Sequence, residues 1–227
     1  MSLKTNLFLL ICIFGSLVSS AQTTRKLATF SGIAVGGNLT VQLIPGQEEK
    51  IVITMISGDE EEIKSDIENG VLKLKVKYKI MGSSKTRAKV DVHYRSLSSI
   101  ETSAGSSLKS TVPLTKKEMK LEASSGSRMT VELKAEVVTI DASSGASISV
   151  SGSCKNLEVD ASSGASIKGE NLSALAVKAE GSSGANITVW AAEKLSGDAS
   201  SGATIRYKGS PTQKQIHTSA AGSIKEI

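Results

Sequence analysis

Beyond residue 21, apolar and polar residues alternate with a period of two along most of the chain. LTVQLI (39–44), KIVITMI (50–56), VLKLKVKYKI (71–80) and RAKVDVHY (87–94) each set every second side chain on one apolar face. That is the pattern of β-strands with one buried side. GQEEK (46–50), ENG (68–70) and MGSSK (81–85) read as turns between them, and EEIKSDI (61–67) as one short helical turn.

From Ile100 onward the alternation becomes a repeat. IETSAGSSL, LEASSGSRM, IDASSGASI, VDASSGASI, AEGSSGANI, GDASSGATI and HTSAAGSI follow one another, with central glycines at 105, 126, 145, 164, 184, 202 and 222. Aligned on the glycine, Ile100, Leu121, Ile140, Val159 and Ala179 share one column and Met119, Val138, Leu157, Val177 and Leu195 another. Leu108, Met129, Ile148, Ile167, Ile187 and Ile205 form a third on the far side of the Ser-Ser-Gly bend, where glycine takes a backbone conformation that other residues resist.

An interval of about 20 residues is too short for a helix pair and holds two or three short strands. One such coil cannot bury its own apolar side, but a stack of them makes a continuous core of like residues on like residues. The expectation is an all-β chain, a single-stranded parallel β-helix with coils of about 20 residues. Leucine-rich repeats share the length but need a Leu and Asn pattern that is absent here, and a disordered Ser/Gly linker would not carry the apolar columns. Residues 22–227 are expected to be one domain, with irregular strands and a cap over 22–99 and regular repeats over 100–227. The tail after Tyr207, with Pro211, places His217 where aliphatic residues stand in earlier repeats, as expected of a terminal cap.

Composition supports this picture. Aromatics make up only 3% of the chain, and a thin solenoid core is filled by Ile, Val, Leu and Ala instead. The net charge of +5 is spread along the chain without a basic block interleaved with aromatics, which excludes a nucleic-acid surface. Residues 1–21 read as a signal peptide, with Lys4, an apolar run from Leu7 to Val18, and cleavage after Ala21. The run is too short to be a membrane-spanning helix. Cys12 lies inside that run and not after a small residue at the cleavage site, so the leader is not of lipoprotein type. The mature protein is then expected in the periplasm or at the cell surface, with Cys154 as its one thiol and no intramolecular disulfide.

ATFSGIAVGGNLTVQLIPGQEEKIVI (28–53), IENGVLKLKVKY (67–78) and the DASSGASI repeats, in that order, resemble the head GIN domain family, described as auto-transporter adhesins and common in Bacteroidetes. The resemblance runs from about Phe30 to the end. It implies a right-handed parallel β-helix, exported, with no enzyme activity and no catalytic residues or cofactor to carry over.

The chemistry-bearing residues fit a non-enzyme. His93 and His217 have no partner at metal-ligand spacing. Cys154 stands where Ala135, Ala174 and Ala192 stand in other coils, a small core residue. Ser124, Ser143, Ser162, Ser182 and Ser200 form a column expected to hydrogen-bond along itself, and mostly serine is a poor match for a threonine ice-binding face. The sharper feature lies four before the glycine: Glu101, Glu122, Asp141, Asp160, Glu180 and Asp198 form an outward acidic ladder. Stacked like charges repel, so water, neighbouring lysines or a divalent cation must screen them. The expected function is interaction or adhesion with a cell-surface protein or glycan, or scaffolding as a homo-oligomer. A carbohydrate-binding or carbohydrate-active β-helix is the alternative, and a pocket uniting Trp190 or Tyr207 with charged residues would favour it.

Overall fold

A computed structural model describes residues 22–77 and 85–227. The signal-peptide segment and residues 78–84, which include most of the MGSSK turn, lie outside the described residues. The chain forms a β-solenoid of stacked parallel coils of about 19 residues. Each coil gives one strand to each of two sheets joined at the Ser-Gly corner.

Sheet I runs in spatial order β5 (Ile63–Glu68), β6 (Val71–Val76), β2 (Gly32–Gly36), β8 (Ser99–Ser103), β11 (Glu118–Ala123) and β13 (Val137–Ala142). It continues through the second halves of β14 (Ser147–Ala161), β15 (Ser166–Gly181) and β16 (Asn186–Ala199) to β18 (Gln213–Thr218). Sheet II runs β1 (Gln22–Lys26), β4 (Lys50–Ser57), β7 (Arg87–Tyr94), β3 (Leu39–Pro45), β9 (Ser107–Ser110) and β12 (Arg128–Lys134). It continues through the first halves of β14, β15 and β16 to β17 (Thr204–Lys208) and β19 (Ser223–Glu226). The two-residue β10 (Leu114–Thr115) lies beside the end of β12.

In the repeat region like residues stack on like: Leu121 lies in register with Ile100 and Ile140, and Met129 with Leu108 and Ile148. These side chains are fully or almost fully buried in one core that runs from Phe30 to Tyr207. Each such burial contributes about 1.5–3 kcal/mol.

The corner uses more than glycine. Ser125, Ser144, Ser163, Ser183 and Ser201 also take positive φ, near +50°, and the glycine after each follows near +70°. The N–H of residue 146 donates to the Ser143 carbonyl at 3.0 Å, closing a turn of the I′ type. The Gly145 N–H reaches the next coil at Ser163 O, also at 3.0 Å, so the corner itself is laddered. A different corner demands glycine by close approach: at Gly152, φ is +112° and a Cβ would lie 1.9 Å from the Leu133 carbonyl oxygen.

Three features differ from the sequence expectation. First, stack order is not chain order. The β2–β3 coil lies between the later β6–β7 coil and the β8–β9 coil. Antiparallel β4, β1 and β5 extend the outer side. Second, the expected helical turn is a 3-10 turn at Glu60–Glu62, capped by Asp59, and the rest of that segment is β5. Third, the last repeat is displaced by one. Ala220 and Ala221 carry the positive φ values, so Ala221, not Gly222, is the corner residue. Ile216 therefore occupies the aliphatic column beside Gly197, and His217 stands beside Asp198.

Candidate functional site

The acidic ladder is one continuous column. Glu101, Glu122, Asp141, Asp160, Glu180 and Asp198 are paired in direct register through sheet I. His217 ends the column on one side. On the other it passes through Ala34 to Lys73. Strand alternation turns these side chains outward because Leu121, Ile140 and Val159, one residue before, face the core. The next outward column along each strand holds Ser124, Ser143 and Ser162, and the two columns line a shallow groove of about 330 Å³.

Lysines relieve the ladder only in part. Lys120 pairs with Glu122 at 2.9 Å, and Lys178 pairs with both Glu158 and Glu180 at 2.9 Å. These hydrogen bonds raise the pKa of both lysines. Among the described residues, Glu101, Asp141, Asp160 and Asp198 form no salt bridge. Burial raises the carboxyl of Asp141 above its usual range; Lys120 opposes this, and Glu122, Asp160 and Glu158 add to it. Asp160 is raised by burial first and by Glu180 next. Among the described residues no group of three or more His, Cys, Asp or Glu is placed to hold a metal ion. The ladder presents its carboxylates as a row rather than as a cluster.

The serine column does not behave as expected. The hydroxyls of Ser124, Ser143, Ser162, Ser182 and Ser200 make no hydrogen bond within the described protein. The corner is held by backbone bonds instead, and the hydroxyls face outward.

The remaining candidates scatter. Cys154 is buried, with burial pushing its thiol pKa to about 11, and it stacks on Ala174 and then Ala191, not Ala192. A thiol so placed is protonated and shielded at neutral pH. Tyr207 lies inside the stack, its hydroxyl 3.2 Å from Glu226 Oε2. Trp190 is 40% exposed, but it lines neither the acidic groove nor the larger groove of about 790 Å³ beside it, whose walls include Lys178, Lys194 and Gln213. His93 sits on β7 in register with Ile44 and Lys50, far in the stack from His217. One place escaped the sequence reading: a small pocket bounded by Tyr94, Arg95 and Lys116. Its signal was the 21-residue interval between Gly105 and Gly126 in a repeat that elsewhere keeps 18–20.

A family profile described as putative auto-transporter adhesin, head GIN domain, matches residues 29–211. The chain belongs to this family. Solved structures share its fold. A putative adhesin from Bacteroides fragilis superposes with a TM-score of 0.82 at 20% identity, covering 91% of this chain and 96% of that one. A putative adhesin from Parabacteroides distasonis gives 0.73 at 17%, covering 91% and 96%. A protein from the same species described as putative lipid binding gives 0.68 at 16%, covering 92% and 98%. No curated protein matches the chain. Head GIN membership supports an adhesion-type role and a place at or beyond the cell surface. Among the described residues no helix is long and apolar enough to cross a membrane.

Proposed function

We propose that this head GIN domain protein is an exported, non-enzymatic adhesion module of the cell envelope that holds an extended cell-surface protein or glycan against sheet I. The observation that carries the reading is the pairing of two outward columns, one of carboxylates and one of unengaged hydroxyls, repeated at coil spacing along a groove. Adjacent strands lie about 4.8 Å apart, so a partner with regularly spaced donors or cationic groups meets the same chemistry at every coil. The leader expected over residues 1–21 supports export. The buried thiol of Cys154 and the separated histidines support binding over catalysis.

Adhesion of the purified protein to intact cells and to a glycan array tests this, with the Asp141→Asn/Asp160→Asn/Glu180→Gln variant alongside. The variant is expected to bind at least about tenfold more weakly, because rows of charge set partner choice. Equal binding by variant and parent removes sheet I as the adhesive face. Calcium added during thermal unfolding separates two routes. A midpoint that rises in the parent and not in the variant means a cation bridges the carboxylates to the partner, and an unchanged midpoint means that they bind directly.

A further inference from the structure

A small pocket opens where the chain departs from its own period. The register offset of β12 is 21 residues against β9, at Ser107 and Arg128, but 19 against β10, at Leu114 and Leu133. Two extra residues therefore lie between Lys109 and Leu114. Thr111 anchors this loop, its N–H and hydroxyl donating to Leu43 O at 3.3 and 2.9 Å. Val112 and Pro113 are pushed outward and form one wall. The chain leaving β7 forms the other. Insertions in repeat proteins map to loops on one face, often the binding face.

The pocket encloses about 230 Å³ and carries two cations: among the described residues, Arg95 forms an ion pair only with Glu49 behind it, and Lys116 forms none. Arg95 is held from behind: its Nε donates to Gln47 O at 2.6 Å and lies 3.9 Å from Glu49 Oε2. Glu49 is buried, accepts from Thr29 Oγ1 at 3.2 Å, and leaves its Oε1 without a partner. The two terminal nitrogens of Arg95 make no hydrogen bond within the described protein, and neither does the Lys116 ammonium. A guanidinium fork with free ends fits a carboxylate in bidentate fashion. Tyr94, Ser96 and Thr115 also line the pocket, and their hydroxyls have no partner within the described protein.

We propose that this pocket binds one carboxylate-bearing sugar residue of an acidic glycan, a uronate in chemical class. The carboxylate lies on Arg95 and Lys116, ring hydroxyls meet Tyr94, Ser96 and Thr115, and the apolar ring face lies on Val112 and Pro113. Glu49 is a positioning residue that aims Arg95. A free acidic peptide side chain would use the two cations but leave the three hydroxyls unmatched. The site shares no lining residue with the acidic groove, so it stands or falls separately from the sheet I reading.

Calorimetric titration of the protein with oligogalacturonate, with the same oligomer methyl-esterified, and with polyglutamate tests this. The acidic oligomer is expected to bind at least about tenfold more tightly than its ester, and Arg95→Ala to weaken it by about tenfold or more, as losing a charge-assisted bond does. Arg95→Lys should restore part of the loss. Arg95 is exposed, so the variant should fold, and circular dichroism confirms that. The sheet I variant should bind the oligomer as the parent does. Absent binding, equal binding of acid and ester, an Arg95→Ala variant that binds unchanged, or polyglutamate binding as tightly as the sugar would each overturn the proposal.

Discussion

The two ends of the solenoid meet the same problem with different means. At one end β4 and β1 extend sheet II and β5 extends sheet I, all antiparallel to their neighbours. Thr23 and Arg25 of β1 stand in register with the core residues Ile53 and Ile51, so they point across the mouth of the core. Arg25 donates to Ile63 O at 2.8 Å and Ser65 Oγ at 3.1 Å, and pairs with Glu60 at 2.9 Å. At the other end the last coil keeps the parallel pattern and changes its residues. Lys214 follows Leu195 in its column and Glu226 follows Tyr207. They face each other at 3.9 Å, with Lys214 Nζ 5.9 Å from the Tyr207 ring centre. Both ends thus place an opposite charge pair where another aliphatic layer would meet water, and inward charges deter stray strands from adding to an edge. At the first end the cation of the pair makes several hydrogen bonds of its own, whereas at the second, among the described residues, Lys214 makes none and Glu226 accepts one, from Tyr207 at 3.2 Å. At the second, every residue of β18 is exposed, and Ile216 remains 47% accessible.

Core truncation should separate the ends most. Ile53 is fully buried under the antiparallel layer, so Ile53→Ala should destabilise by about 2–5 kcal/mol. Ile216→Ala, at the half-open coil, should cost no more than about 0.5 kcal/mol. Urea unfolding midpoints measure both. Similar losses would mean that the last coil is as well packed as the first.

Next in size are the two ion pairs. Arg25→Ala removes four hydrogen bonds, one of them the salt bridge, from a site where both partners are about a third exposed or less, and about 1–2 kcal/mol is expected. Lys214→Ala breaks a long pair in which both groups are about half exposed, and a loss of less than about 0.5 kcal/mol is expected. Amide exchange should agree, with protection across β1 and β4 and fast exchange across β18. Slow exchange in β18 would contradict the comparison.

This asymmetry was only half legible in the sequence. The columns from Ile100 to Ile205 declared themselves because a glycine marks each coil, and the acidic ladder followed from alternation alone. In the last coil the glycine marker points one residue too far along the chain. The backbone needs positive φ at two residues, and alanines at 220 and 221 supply both. In the first half the corner reads Gly36-Gly37-Asn38, so no Ser-Ser-Gly marks the β2–β3 coil. Its insertion between two later coils is a matter of sheet pairing that no local pattern encodes. The Tyr94–Lys116 pocket is built once, from segments of three coils, and repetition cannot announce a feature that does not repeat.

The smallest expected effect sets one end against the wall between the ends, through pH. Hydrogen bonds from Thr23 and then Arg25 lower the Glu60 carboxyl below its usual 4.5. A lowered carboxyl stabilises the fold above its unfolded pKa, and that contribution is lost as pH falls through the folded value. Asp141 is raised above its usual 3.8, mainly by burial. Its contribution has the opposite sign: it favours the fold at acid pH and is lost as pH rises through the folded value. At neutral pH Asp141, and Asp160 beside it, therefore work against stability while the Arg25–Glu60 pair works for it. Asp141→Asn should raise stability at pH 7 by a few tenths of a kcal/mol, the scale of a relieved like-charge pair in a sheet, and the gain should vanish below pH 3.8. Arg25→Ala should lose stability at pH 7, and less of it at acid pH. Paired pH titrations of the two variants read both signs in one experiment. Two neighbouring carboxylates that weaken the fold at neutral pH, within a column of acids in register over six coils, fit a surface kept for what it binds. If Asp141→Asn is instead destabilising at pH 7, the carboxylates belong to the architecture, and the case for sheet I as the adhesive face loses its physical basis.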